Sequence, residues 1–377
     1  MKTRKMARLA ALVVVIAVLT AACKSKDANN STTATTTAKD EVKGLSIDYS
    51  SLAATLNASG STFQANLQEA AKAGFLTVAP KVTINYAGGG SGKGKTDLQG
   101  QVVDFAGSDS LPKAEDKPLY KGGDVLYFPV AAAPITVAYQ LKGVDTLQLS
   151  PDTIAKIFEA QITKWDDPAI KVDNPSIATL PSTPIVVVHR AEGSGTTSNF
   201  TGFLTKAAPT AWTLGKGDTV AWPASTQAGA GNQGVAQLIG NGTSTLAGTD
   251  GAIGYVDFSD AKATNLKTAS VKNAAGKFVA PSLAGVVAAL DETTPNADLS
   301  YDPLNAAGDA TYPIATPTWI LVYKNQTDKA KGAAIKGFLN YLLTDGQALN
   351  EPANYAQLPA KYRTLALDQL KTLVIPS

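Results

Sequence analysis

Apolar and polar residues alternate around Val82, Ile84 and Tyr86, the period-two pattern of a half-buried strand. Ile185 to Val188 is instead an unbroken apolar run, which predicts a strand covered on both faces, as in a parallel sheet. Elsewhere the spacing changes to three or four. Ile154, Ile157 and Phe158, then Phe200, Phe203 and Leu204, then Leu365, Leu367 and Leu370 each predict a helix with one apolar face. From about Leu45 onward such segments alternate with Gly-rich turns, which makes the fold class α/β. The apolar stripes read as core packing, since nothing in their spacing demands a cofactor, and no fixed-period repeat is present.

The first stretch follows another rule. Lys2, Arg4, Lys5 and Arg8 precede an apolar run from Leu9 to Ala22, too short to span a bilayer but suited to the apolar region of a secretory signal. Residues 1 to 22 are therefore expected to be an export signal. Ala21 and Ala22 stand directly before Cys23, an arrangement that resembles the lipobox of bacterial lipoproteins, with Thr20 where that motif usually has Leu. Cys23 is the expected lipidation site. Lys24 to Gly44 carries Ser, Thr, Ala, Asn, Lys and Asp around a single Val42 and cannot bury enough apolar surface to offset chain entropy. Residues 23 to 44 are expected to form a flexible, lipid-anchored linker.

Composition narrows the partners. At 377 residues, with 44% apolar and 17% charged side chains, the chain can fill two cores once leader and linker are removed. Lys and Arg number 33 against 31 acids, and losing residues 1 to 22 takes four of those cations, leaving 29 against 31. There is no basic run after residue 8, so nucleic acid is not an expected partner, and any bound anion is not held by bulk charge. One Cys and one His exclude an internal disulfide and Cys- or His-rich metal sites, leaving only carboxylate sites for Ca²⁺ or Mg²⁺ open. No cofactor or resident metal is expected.

Four loops carry the candidate chemistry: Gly60-Ser61-Thr62-Phe63, Gly88-Gly89-Gly90-Ser91, Gly107-Ser108-Asp109-Ser110 and Gly193-Ser194-Gly195-Thr196-Thr197. Each is expected to follow a strand and open a helix. Glycine lets a ligand approach the backbone, Ser and Thr add hydroxyl donors, and a helix N-terminus offers free N–H groups, so such loops suit an oxyanion. Singly they are also common structural turns. Gly89, Gly94, Lys95 and Thr96 fit the P-loop pattern in letters, which would mean a nucleotide and Mg²⁺, but an exported protein meets no cytosolic nucleotide pool. An esterase would have to use His189, the single histidine, with Ser194, and Ser194 lacks the usual nucleophile-elbow sequence.

In chain order, several blocks resemble the phosphate-specific substrate-binding proteins of bacterial ABC importers, the PstS family. They are Gly60 to Phe63, Asn85 to Gly92, Val103 to Asp109, Ile162 to Asp167, His189 to Thr197, Gly231 to Val235, Gly251 to Tyr255 and Tyr312 to Ile314. The resemblance runs from about Ala58 to the C-terminal helices. It implies a periplasmic-binding-protein type II fold, two α/β lobes joined by a hinge with the ligand cleft between them. Lobe one would comprise residues 45 to 133 plus 312 to 377, and lobe two residues 134 to 311.

The resemblance further implies that Thr62, Phe63, Ser91 and Asp109 contact phosphate from one lobe and Arg190, Ser194, Gly195 and Thr196 from the other. Hydroxyls would come from Thr62, Ser91, Ser194 and Thr196, backbone N–H groups from Phe63 and Gly195, and the cation from Arg190. Glu192 stands where the family usually has an Asp paired with that Arg. Asp109 is expected to select phosphate, which carries a P–OH to share, over sulfate, which carries none. The implied activity is capture of inorganic phosphate and delivery to an ABC permease, by a non-enzymatic monomer anchored outside the cell membrane or free in the periplasm. The alternative is another tetrahedral oxyanion, such as sulfate or a phosphorylated compound, on the same scaffold.

Overall fold

The computed structural model describes residues 42–377; the export signal, Cys23 and most of the linker lie outside them. The first half runs β1 (Ala53–Gly60), α1 (Ala65–Val78), β2 (Lys81–Gly88), α2 (Gly90–Gln99), β3 (Phe105–Ser108), β4 (Val125–Tyr139), β5 (Gln148–Leu149), α3 (Pro151–Phe158), α4 (Pro168–Asp173), β6 (Val186–Arg190) and α5 (Gly195–Ala207). The second half runs β7 (Gln227–Gly229), α6 (Gly231–Ile239), β8 (Ala252–Asp257), α7 (Phe258–Ala263), β9 (Lys267–Thr268), β10 (Ser270–Lys272), β11 (Phe278–Val279), α8 (Leu283–Asp291), β12 (Ala315–Tyr323), α9 (Lys329–Leu343) and α10 (Ala360–Lys371). The fold is α/β.

Strand order in the main sheet is β2-β1-β3-β12-β4-β8-β6-β7, with β9 beside the end of β4; β11, β10 and β5 form a small second sheet. β1 pairs parallel with β2 and β3, and β6 pairs parallel with β7 and β8. Between these parallel sets lie β12 and the fifteen-residue β4. β4 pairs antiparallel with β12 as far as Pro134, then with β8 from Ile135 onward. A proline has no N–H to give to a ladder, so Pro134 suits the point where one partner is exchanged for another. In β12 the register against β4 shifts between Thr318 and Trp319, which locally disturbs the ladder beside the site.

The predicted elements are present. β2 has the half-buried alternation, β6 is the parallel strand, and α3 and α5 bury Ile154, Ile157, Phe158, Phe200, Phe203 and Leu204. In α10 the buried residues are Tyr362, Ala366, Leu367 and Leu370; Leu365 faces outward because the helix rotates it off that face. Val42, which composition places in the linker, packs against the core with Leu45, whose N–H donates to Asn340 Oδ1 at 2.7 Å. Packing therefore begins slightly earlier than the polar composition suggests.

Aromatic contacts hold the core: Phe75 against Phe338, with ring centroids 5.2 Å apart, and Tyr255 stacked on Phe200 at 4.5 Å. Two of the recognised blocks meet here. Trp165 is fully buried and donates its indole N–H to Gly251 O at 3.0 Å. Tyr312 likewise donates its hydroxyl to Ile135 O at 2.8 Å, tying the chain near its second crossing between the parallel sets to its first. No helix among the described residues is long and apolar enough to cross a membrane.

Candidate functional site

Three of the four Gly-rich loops follow a strand and open a helix: β1 to α1, β2 to α2 and β6 to α5. The third does not. After β3 the chain bends at Asp109 and Ser110 and then makes a short 3₁₀ helix at Ala114–Leu119, because Pro112 disfavours helix at Leu111. Asp109 thus sits at a strand end without a helix dipole behind it.

The loops converge nonetheless. Gly60 has φ of +139°, and a Cβ there would run into the Gly107 carbonyl, so the first and third loops touch through backbone. A Cβ on Gly195 would lie 2.5 Å from Ser91 Oγ and 2.8 Å from Asp109 Cβ, so the first turn of α5 is pressed onto the second and third loops. Ser194 caps α5, its Oγ accepting the Thr197 N–H at 3.2 Å. Asn199, one turn along, donates to Asp109 O at 2.6 Å and to Gly195 O at 2.9 Å.

Asp109 is 2% exposed. Its Oδ2 accepts from Ser61 Oγ at 2.6 Å and more distantly from Ser91 Oγ at 3.4 Å, and its Oδ1 accepts from Thr318 Oγ1 at 2.6 Å. Burial raises its pKa from 3.8 to about 6; the Ser61 and Thr318 hydroxyls, the Arg190 charge and Ser91 pull it back. The carboxylate is thus held by neutral donors, and a carboxylate has room for about four hydrogen bonds. Oδ1 takes one of the three seen here, so it keeps a lone pair for another proton.

Arg190, the last residue of β6, is 3% exposed. Nη2 pairs with Glu192 Oε1, Nη1 donates to Thr196 Oγ1 at 3.2 Å, and the buried Nε has no hydrogen-bond partner. Such a leftover buried N–H has a hydrogen bond still to give, and a charged acceptor would take it most strongly. The longer Glu192 side chain reaches the guanidinium and also accepts the Gly231 N–H at 3.1 Å. Tyr255 fixes the same corner, its hydroxyl accepting the Arg190 N–H at 3.1 Å and lying 2.6 Å from Thr197 Oγ1. Burial pushes the Tyr255 hydroxyl up to about 12, so it remains protonated.

Thr62 and Thr196 are joined by a residue that the sequence reading did not select. Asn232, in the first turn of α6, donates through its N–H and Nδ2 to Thr62 Oγ1, both at 3.2 Å, and through Nδ2 to Thr196 Oγ1 at 3.3 Å. Phe63 has its ring fully buried against Tyr355, and its N–H donates to Ser61 Oγ at 3.0 Å. A cavity of about 680 Å³ borders this cluster at Thr62 and Glu192. Thr62, Phe63, Ser91, Asp109, Arg190, Ser194, Gly195 and Thr196 thus lie in one interlocked network. Ser61, Asn232 and Thr318 join it; Ser61 and Asn232 stood inside recognised blocks, whereas nothing in the local sequence marks Thr318.

The competing chemistries find different geometry. Lys95 of the P-loop-like run pairs with Asp218 at 2.7 Å. The His189 Nδ1–H donates to Arg190 O at 2.8 Å and the ring stacks on Trp222 with centroids 4.9 Å apart, while Ser194 Oγ is engaged by Thr197. Desolvation lowers the His189 pKa, which keeps the ring neutral. Among the described residues no group of three or more His, Cys, Asp or Glu side chains is placed to hold a metal.

A family model described as a PBP superfamily domain matches residues 27–346. A phosphate-binding protein PstS from Methanocaldococcus jannaschii is 35% identical over 317 residues, covering 78% of this chain and 80% of its own. A phosphate-binding protein PstS from Pasteurella multocida is 34% identical over 303 residues, covering 77% and 83%. Among solved structures, a high-affinity periplasmic phosphate-binding protein, PfluDING, bound with phosphate, superposes with a TM-score of 0.66 at 25% identity, covering 82% of this chain and 92% of its own.

Proposed function

The chain belongs to the PstS phosphate-binding proteins of the PBP superfamily, and from that membership we propose that it captures inorganic phosphate and hands it to an ABC-type permease. The observation that carries the reading is the convergence of Asp109, Arg190 and the Ser and Thr hydroxyls around them, drawn from segments far apart in sequence. Thr62, Ser91, Ser194 and Thr196 give hydroxyl donors to the ion, Phe63 and Gly195 give backbone N–H groups, and Arg190 gives the fixed cation through donors that Glu192 leaves free. A phosphate oxygen that still bears hydrogen donates to Asp109 Oδ1 in a charge-assisted bond. Sulfate has no such hydrogen and meets a like charge in a dehydrated site.

The exchange of partners along β4 at Pro134, and the second crossing near Tyr312, support a division into two lobes, residues 45 to 133 plus 312 to 377 and residues 134 to 311. Closure of one lobe on the other dehydrates the ion and presents an occupied shape to the permease. No bond is made or broken: the protein is a carrier, not an enzyme, and works as a monomer. Residues 1 to 22 export it, and a lipid on Cys23 tethers it through residues 23 to 44.

Calorimetric titration of ligand-stripped protein with phosphate, sulfate and ATP tests this. Tight phosphate binding, much weaker sulfate binding and no Mg²⁺-dependent ATP binding are expected. Equal affinity for phosphate and sulfate, or nucleotide binding, overturns it.

A further inference from the structure

Lys95 takes no part in the proposed ion site, yet it is only 14% exposed. Its Nζ lies 2.7 Å from Asp218 Oδ2 and donates to Ser110 Oγ at 2.9 Å. Asp218, whose side chain is 23% exposed, sits on the loop between α5 and β7, and its backbone carbonyl accepts the Ser194 N–H at 2.9 Å. Beside this pair, Gly92 N–H donates to Gly193 O at 3.0 Å. Lys95 on α2 therefore grips the same residue whose backbone holds the start of the Ser194–Thr196 loop, and it also contacts the neighbour of Asp109.

Lys95 belongs to residues 45 to 133 and Asp218 to residues 134 to 311. Other ion pairs among the described residues, such as Lys206–Asp302, Lys267–Asp145 and Lys331–Asp104, each stay within one of the two proposed lobes. The other polar ties named across the site, Thr62 to Asn232, Asn199 to Asp109 O and Gly92 N–H to Gly193 O, are hydrogen bonds and not ion pairs. We propose that Lys95 and Asp218 are positioning residues that form an ionic latch between the lobes, setting how long bound phosphate is retained; this rests on the two-lobe reading above. A latch that forms only on closure is absent from the encounter, so it acts on release far more than on capture. Being partly exposed, it also makes release sensitive to salt.

Stopped-flow kinetics with inorganic phosphate on the full mature chain tests the latch. Lys95→Met and Asp218→Asn are each expected to raise the phosphate dissociation rate about tenfold, as for a partly buried charge pair that loses one member, with the association rate within about twofold of wild type. The double variant should be no faster than either single one. Raising ionic strength should speed release from the wild type but not from Lys95→Met, whereas Lys95→Arg should restore slow, salt-sensitive release. The phosphate-to-sulfate preference should stay at the wild-type value in all of them. Wild-type release rates and wild-type salt dependence in both single variants overturn the latch while leaving phosphate capture intact. Absence of phosphate binding in the wild type itself overturns the underlying reading and the latch with it.

Discussion

Replacing Asp109 by Asn removes a charge without removing the shape, and two consequences can be worked from the geometry. The first concerns stability. Asp109 has an ordinary pKa of 3.8 and is raised to about 6 here, chiefly by burial, so the folded protein binds this proton more tightly than the unfolded chain does. Below about pH 4 the group is protonated in both states and costs nothing. Between about pH 4 and 6 the unfolded chain gives up the proton first, so stability falls as pH rises; above about pH 6 the cost is constant. At ~1.4 kcal/mol per pKa unit the full cost is on the order of 3 kcal/mol. Asp109→Asn should delete that component: ligand-free wild type should gain melting temperature between pH 7 and pH 4.5 relative to the variant.

The second consequence is selectivity. Like-charge juxtaposition in a dehydrated site costs several kcal/mol, so relieving it should strengthen sulfate binding relative to phosphate by at least about tenfold, ~1.4 kcal/mol. Calorimetry with the two anions and melting curves across pH read both effects. An unaltered sulfate-to-phosphate ratio would sink the exclusion argument, and parallel melting curves would mean that Asp109 titrates at its ordinary value.

Further tests bear on its neighbours. Thr318→Val removes the hydroxyl on Asp109 Oδ1; losing a bond to a charged acceptor, ~1.5–3 kcal/mol, should raise the Asp109 pKa by about 1–2 and shift the pH profile of phosphate affinity upward, while Thr318→Ser keeps it in place. Arg190, the other charged group acting on Asp109, and Tyr86 and Tyr355, whose hydroxyls its charge pushes up, are untouched by that change, and an unmoved profile would show that Thr318 only packs. Arg190→Ala strips the guanidinium from the site and should weaken phosphate by at least ~3 kcal/mol, more than a hundredfold in Kd; wild-type affinity would place the ion elsewhere. Gly195→Ala drives a methyl group to 2.5 Å from Ser91 Oγ and 2.8 Å from Asp109 Cβ, forcing the α5 terminus away. Phosphate binding should drop at least tenfold while the far-ultraviolet spectrum stays native, and full affinity would show that the two surfaces need not meet.

The α/β alternation and the sites of the loops are local properties, and they could be read along the chain. Val82, Ile84 and Tyr86 mark a half-buried strand wherever it is placed, and a Gly-Ser run after a strand offers N–H groups and hydroxyls before anything packs against it. Which atom meets which was decided by tertiary structure, because a buried polar group takes whatever partner the packed fold brings near it. Thr318 reaches Asp109 across 209 positions, Asn232 reaches Thr62 across 170, and Lys95 reaches Asp218 across 123. Each partner looks like an ordinary strand, turn or surface residue in its own neighbourhood. A serine in the first loop could be foreseen as a donor, but not that Ser61 would take the carboxylate while Thr62 turned to Asn232. That division follows from the backbone pinned between Gly60 and Gly107, a close approach that exists only once β1 and β3 lie side by side.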